Sequence, residues 1–437
     1  MIALSAAKIA EILGYAGKPA AAEIREISTD SRKADEHTLF IALKGEKFDG
    51  HDFILDVLKK GVPLVVSEHP VTGADEKRVI IVPDTLKALG KLAQHNRRQY
   101  KGTLIALTGS SGKTTTKEEL KTALSAYAPT YATSGNFNNH IGVPRSLLDL
   151  DMNAKYAVIE MGMSALGEIE YLTSLAEPDV ALVTNVYPMH IEFLKSLENI
   201  ARAKAEIFSG LKTGGIAIYN EDTAYAEILR QEAEKYAGAV YGYGKENHTA
   251  AKLHLQDEAE HYYYNAWAVL KVVEVLGLPL DKAVAAINSF GALEGRGKKH
   301  LLNLNGRKVT LIDDSYSGQP DAMKLAIKAL GEMQTAGRKI ALLGKMAELG
   351  DYSKQAHTEV GQALAANGID IVIGVCEETK DMLSQLPENV TQYYFPSIEG
   401  VETLLNEILQ NNDTLLIKGA HYSSQVFKIA EELIKRG

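Results

Sequence analysis

Residues 103–120 read TLIALTGSSGKTTTKEEL, and this stretch decides the fold. After Thr103, residues 104–107 (LIAL) are all apolar, the run of a strand buried on both faces. Thr108-Gly109-Ser110-Ser111-Gly112-Lys113-Thr114 then breaks the run, and a helical pattern begins near Thr115. Strand, glycine-rich turn and helix in that order make a phosphate loop. The glycines let backbone N–H groups face an anion, and the helix N-terminus adds a partial positive charge. In such a loop Lys113 reaches the β- and γ-phosphates and the Thr114 hydroxyl ligates Mg²⁺. The usual loop has glycine five places before Gly112, where this chain has Leu107, so the loop is shortened. The reading is ATP binding by Gly109, Ser110, Ser111, Gly112, Lys113, Thr114 and Thr115.

Outward from the loop, short apolar runs alternate with helical stretches in three groups. Before it lie residues 38–43 (TLFIAL), 62–67 (VPLVVS) and 78–82 (RVIIV), then a helix-like segment over 85–100. Around it lie 103–107 (TLIAL), 157–161 (AVIEM), 180–185 (VALVTN) and 215–220 (GIAIYN), each followed by a helical pattern. That alternation is the signature of βαβ units around a parallel sheet. A third group comprises 308–313 (KVTLID), 339–343 (KIALL), 370–375 (DIVIGV) and 414–418 (TLLIK), separated by helical stretches such as 321–334 and 397–409. The glycine-rich, basic joint 294–299 (EGRGKK) separates the second group from the third. The fold class is therefore α/β in three domains. A smaller N-terminal α/β domain (1–83) precedes a central P-loop domain with a parallel sheet (84–297) and a C-terminal Rossmann-like domain (298–437).

Composition agrees with this division. A chain of 437 residues exceeds one ordinary core. With 46% hydrophobic and 24% charged residues it has the balance of a soluble globular protein. A net charge of −9 argues against gripping nucleic acid through a general basic surface, yet leaves room for a local basic cluster and an anionic substrate. The single cysteine, Cys376, rules out an internal disulfide and fits a reducing compartment. Lys8 and Glu11 interrupt the apolar N-terminus, which reads as a short amphipathic helix rather than a signal peptide or anchor. A cytoplasmic monomer without membrane insertion is expected.

The shortened loop TGSSGKT resembles that of the Mur ligase family, and further segments extend the likeness in the family's order. These are Asp30-Ser31-Arg32, residues 135–139 (GNFNN), Glu160-Met161-Gly162, 184–190, 201–204 (ARAK), Gly295-Arg296-Gly297 and 313–316 (DDSY). Within the family, 43–53 (LKGEKFDGHDF) and 343–352 (LGKMAELGDY) resemble the member that attaches a dipeptide more than its sister ligases. The resemblance implies an ATP-dependent ligase of peptidoglycan precursor synthesis, joining D-alanyl-D-alanine to a UDP-linked muramyl tripeptide through an acyl phosphate.

The resemblance also implies roles. Thr114, Glu160 and His190 fall at Mg²⁺-ligand positions, and Lys204 at a position carbamylated by CO₂ that supports a second Mg²⁺. Asn220, Asn265 and Asp314 fall near the nucleotide. Arg296, in the joint, would be carried to the phosphates by domain closure. Ser31 and Arg32 correspond to the UDP-binding segment, and Asn136, Asn138 and Asn139 would border the nascent acyl phosphate. Lys113, His190, Lys204 and Arg296 are thus the catalytic candidates. From the residues alone, Glu160 is a carboxylate at a strand's C-terminal edge, facing the loop or merely solvated. His190 is a loop histidine, Tyr262–Tyr264 can be core packing, and Lys204 is equally an ordinary surface lysine.

The chain departs from the family at Ser317-Gly318-Gln319-Pro320, where Asn-Ala-Asn-Pro is usual. It departs again at Lys418-Gly419-Ala420-His421, where Lys-Gly-Ser-Arg is common, and at Ser164-Ala165, where Asn-His is usual. These positions bear on the acceptor amine. A sister ligase adding one amino acid and a folylpolyglutamate-type ligase are the alternatives, and a non-catalytic ATP-binding scaffold is a third.

Overall fold

Every strand group expected from the apolar runs is present in the structure, a computed structural model describing residues 1–45, 48–256 and 259–437. Glu46 and Lys47, within the resembling segment 43–53, lie outside the described residues.

In the N-terminal domain β1 (Leu4–Ser5) and β2 (Glu23–Ile24) pair antiparallel. β3 (Glu26–Ser28), β4 (Thr38–Ile41), β5 (Leu64–Ser67) and β6 (Val79–Ile81) form a parallel sheet in chain order. The expected N-terminal helix is Ala6–Leu13, capped by the Ser5 side chain and closed by Gly14 in the left-handed region.

The central domain holds β7 (Thr103–Thr108), β8 (Thr130–Ala132), β9 (Tyr156–Glu160), β10 (Val180–Val183), β11 (Ile216–Asn220) and β12 (Ala239–Tyr243). They are parallel and lie in the order 12-11-10-7-9-8. β9 and β10 are buried along their whole length, and β7 everywhere but at its first residue, as strands covered by helices on both faces must be. The chain leaves β7 toward one edge and later returns toward the other, so the crevice at the carboxyl ends of β7 and β10 is a topological switch point. Register pairs Thr108 with Val183, so both strands end together and their loops face each other.

The third domain contains β13 (Lys298–Leu304), β14 (Arg307–Asp314), β15 (Lys339–Gly344), β16 (Ile371–Val375), β17 (Thr391–Phe395) and β18 (Thr414–Lys418), ordered 13-14-18-15-16-17. β13 and β14 make an antiparallel hairpin, and the remaining pairs are parallel. The hairpin turns on Asn305-Gly306, both at positive φ (53° and 81°), which suits the right-handed twist of the flanking strands. β13 was not expected from the sequence, because LLNL reads as a weak strand without its partner. The helix expected over 397–409 is shorter, Val401–Ile408, entered from Gly400 at φ 84°.

Packing ties the first two domains more closely than the third. One core runs continuously from the N-terminal sheet to one face of the central sheet. Helix Thr85–Gln99 lies at the seam, against helix Ala6–Leu13 on one side and Gly142–Leu148 and Glu168–Ala176 on the other. Its Arg97, buried to 1% exposure, donates to the carbonyls of Ala176 (2.6 Å) and Glu177 (2.9 Å) and pairs with Asp179. The third domain has separate cores on the two faces of its sheet. No helix among the described residues is long and apolar enough to cross a membrane.

Candidate active site

The loop's two glycines are dictated by close approach. A Cβ on Gly109 would lie 1.8 Å from the Thr184 hydroxyl, and one on Gly112, at φ 76°, would lie 2.7 Å from Asn265 Oδ1. The facing loop after β10 clamps the turn. Ser111 N–H donates to Asn185 Oδ1 (2.8 Å), and Asn185 Nδ2 and Thr184 Oγ1 both donate to the Ser111 carbonyl (3.0 Å each). Ser110 Oγ donates to the Tyr187 carbonyl (3.0 Å) and accepts from its N–H (2.9 Å). Helix Lys113–Ser125 starts directly at Gly112 without a side-chain cap, so its first amides are open to an anion. Lys113 Nζ folds back on the Gly109 carbonyl at 2.7 Å. Burial holds its pKa below the usual lysine value, with Glu160 opposing the shift and Arg296 adding to it.

Around this cradle stand the four cation-site candidates. Glu160 closes β9 and is 1% exposed, which excludes the solvated reading. One of its oxygens accepts from Asn138 Nδ2 at 2.8 Å. The other, Oε2, is buried with no hydrogen-bond partner among the described residues, and Lys117 Nζ stands off at 3.9 Å. A buried acceptor without a donor is costly, and a cation in front of it would remove that cost. Thr114 Oγ1 accepts from Arg296 Nη2 at 3.0 Å. Arg296 was expected to arrive only on domain closure; here it is already at the loop, its guanidinium 4.2 Å over the Tyr316 ring. His190 starts the short helix Ile191–Leu194 with φ at 58°. Its buried Nδ1 faces Glu348 of the third domain in an ion pair and has no other polar partner among the described residues.

Lys204 corrects the surface-lysine alternative. It sits near the end of helix Leu197–Ala205 at 2% exposure. Burial first, and the charge of Lys113 second, push its pKa far below the ordinary lysine value. The neutral amine is the form such a site favours.

A cavity of about 530 Å³ opens from the loop to the third domain. Ser111, Gly112 and Thr115 line its floor, and Asn220, Asn265, Arg296 and Asp314 all face it. Asn220 Nδ2 donates to the Thr184 carbonyl (2.9 Å), and Asn265 Oδ1 accepts from Thr116 Oγ1 (3.3 Å). Asp314 Oδ2 accepts from the buried Lys418 Nζ at 2.7 Å. Tyr264 reaches the same cavity and donates its hydroxyl to Asp222 (2.7 Å), so plain core packing does not describe it.

The remaining candidates lie elsewhere or have other partners. Arg32 is exposed and bidentate to Asp30 (2.9 and 2.8 Å), while the Ser31 carbonyl takes Lys60 Nζ at 3.1 Å; neither residue lines the cavity. Asn138 orients Glu160, and Asn139 Oδ1 accepts from Gly142 N–H (2.8 Å) at the start of helix Gly142–Leu148. Asn136 stands beside the Tyr316 ring hydroxyl. Sequence reasoning missed Asn185, Tyr187, Lys117, Glu348 and Lys418. Asn185, Tyr187, Glu348 and Lys418 fall inside segments quoted above without a role of their own, and Lys117 lies in the helix after the loop; each takes its partner from elsewhere in the chain.

Residues 23–97 match the Mur ligase family catalytic domain, 107–280 the Mur ligase middle domain, and 300–421 the Mur ligase glutamate ligase domain. UDP-N-acetylmuramoyl-tripeptide–D-alanyl-D-alanine ligase of Bacillus subtilis is 37% identical over 369 residues, 80% of this chain and 79% of its own. The crystal structure of MurF from Acinetobacter baumannii superposes with a TM-score of 0.90 at 29% identity, covering 100% of this chain and 99% of its own. MurF ligase from Thermotoga maritima in complex with ADP gives 0.82 at 28% identity, covering 94% and 97%.

Proposed function

The chain belongs to the Mur ligase family, and on that premise we propose that it uses ATP to join D-alanyl-D-alanine to a UDP-N-acetylmuramoyl-tripeptide. The observation that carries this reading is the cavity itself: Ser111 and Gly112 of the phosphate loop with Arg296 on one side, and Asp314, Asp321 and Lys418 of the third domain on the other. Amide formation from a carboxylate needs a better leaving group than oxide. A tripeptide carboxylate oxygen attacks the γ-phosphorus, ADP departs, and the dipeptide amine then attacks the acyl phosphate and releases inorganic phosphate. The loop amides and Lys113 would hold the phosphates in line, so the work is positioning and electrostatics. Burying the acyl phosphate between two domains protects it from water.

Thr114, Glu160 and His190 would hold Mg²⁺, and a carbamylated Lys204 would support a second. Mg²⁺ supplies charge neutralisation on the phosphates when bound. The orphaned Glu160 oxygen and the depressed Lys204 amine support that donor set. Ser31 and Arg32, in the domain spanning 1–83, would take the UDP end. Asn136, Asn138 and Asn139 would border the carboxylate, and the domain from 298 would bring the dipeptide.

Phosphate release tests the reading, measured with a UDP-muramyl tripeptide, ATP and a panel of amines. Turnover is expected with D-alanyl-D-alanine and not with single amino acids. Release driven by one amino acid, or by a folate with glutamate, would move the chain to a sister activity.

Arg296→Ala is expected to cut kcat by about 10²-fold while the KM for ATP moves only a few-fold. Its guanidinium already stands at the loop on Thr114 Oγ1, where it would meet the charge that grows on the phosphates in the transition state. Equal losses in kcat and in ATP affinity would make it a ground-state binding residue instead.

A further inference from the structure

The third domain touches the central one next to the cation-site candidates, and the contact is built from two constrained loops. His190 and Glu348 both hold left-handed backbones, φ 58° and 59°. Non-glycine residues keep that conformation only where their surroundings over-determine it. Here the surroundings are each other. Helix Ile191–Leu194 packs on the turn Gly350–Tyr352, and Ile191 joins the third domain's core. Gly350, at φ 51°, sits so close that a Cβ would come within 3.0 Å of Glu192. Within this docked pair of loops, the Glu348 carboxylate faces His190 Nδ1.

A carboxylate only accepts, so Nδ1 opposite it carries the proton, and the ring's lone pair is left on Nε2. Apart from Glu348, the buried Nδ1 meets no partner among the described residues.

We propose that Glu348 is a positioning residue, supplied by the third domain, that fixes His190 with Nδ1 protonated and Nε2 free to ligate. Docking of the third domain then completes the cation site in the central one. The metal half of this rests on the proposed ligand role of His190. A carboxylate behind a ligating imidazole sets its tautomer and its aim, and loss of such a partner typically costs 10- to 100-fold in metal affinity or activity.

The test uses full-length protein labelled with ¹⁵N-histidine, free of metal and nucleotide, with the His190 signals assigned through His190→Asn. The tautomer is read in wild type, Glu348→Ala and Glu348→Gln, and the Mg²⁺ concentration for half-maximal ligation is measured on the same samples. Wild type is expected to show the Nδ1–H form. Glu348→Ala should lose it and need about 10- to 100-fold more Mg²⁺, with the KM for ATP at saturating Mg²⁺ little changed. Glu348→Gln, whose amide oxygen still accepts, should recover most of both, and it stands in should the alanine variant fail to fold. A tautomer indifferent to Glu348 overturns the proposal. A tautomer that follows Glu348 while the Mg²⁺ requirement stays fixed overturns the ligand role of His190, and with it the metal half. Absence of ligation in wild type with every amine tried would strike the proposed function and leave the tautomer result standing.

Discussion

Replacing Lys113 by alanine is expected to lower turnover on the order of 10³-fold, about 4 kcal/mol of transition-state stabilisation, in a protein that remains folded. The two halves of this expectation have different physical grounds. In the free enzyme the ammonium makes one hydrogen bond, to the Gly109 carbonyl of its own loop, in surroundings that depress its pKa through burial. Its removal forfeits roughly 1 kcal/mol of hydrogen bonding and relieves a desolvated charge, so the net change in stability is small. The clamp on the loop, made by Thr184, Asn185 and Tyr187, does not involve the side chain at all. With ATP bound, the same ammonium would be a fixed cation that the loop offers to the migrating phosphoryl group. Phosphate release with the muramyl tripeptide and D-alanyl-D-alanine, beside a thermal melt, checks both halves. Near-normal ligation by a folded variant would remove Lys113 from the machinery. A variant that melts far below wild type would instead make the lysine part of the loop's architecture.

How much of this was legible beforehand follows from the range of the interactions. The loop was readable because its chemistry is contiguous: strand, two glycines, lysine and threonine lie within one short run. The buried parallel strands were readable because VALV and TLIAL are apolar on both faces. β12 (Ala239–Tyr243) was not, since AVYGY is short, broken by Gly242, mostly only partly buried, and pairs with β11 on one side only. The joint 294–299 was visible through its two glycines, both of which adopt positive φ, but the contact of Arg296 with Thr114 spans 182 positions and has no local signature. Lys117 carries no mark in the sequence, yet it is wholly buried and donates to the Gly135 carbonyl at 2.8 Å, one helical turn beyond the loop. Glu348 lay inside a segment noted only for its resemblance, and its partner is known only once two domains are docked. What the sequence withheld, then, was the set of side chains whose roles depend on which other domain stands opposite.

Lys204→Ala is expected to be nearly inactive, down on the order of 10²- to 10³-fold, and partly restored by small carboxylates such as acetate or formate. The premise is electrostatic. Lys204 is buried at 2% exposure and its pKa is driven far down, first by desolvation and then by Lys113. A second ammonium beside a phosphate-binding lysine and a cation site would oppose every charge the site needs. The neutral amine, by contrast, would add CO₂, forming an N–C bond and releasing a proton, and the product would be an anion. That anion would relieve the repulsion with Lys113 and stand as an oxygen donor for a second Mg²⁺. If the missing group is an anion, a diffusible carboxylate can occupy the space left by alanine, whereas a short amine would bring positive charge toward a metal. Rescue is therefore scored with both additives, and the wild-type protein is exposed to ¹³C-labelled bicarbonate to look for a carbamate resonance that Lys204→Ala lacks. Rescue by amines alone, with no carbamate signal, would make Lys204 a cation acting on a phosphate. Full activity of the variant without additives would remove the residue from the site altogether and leave its burial as packing.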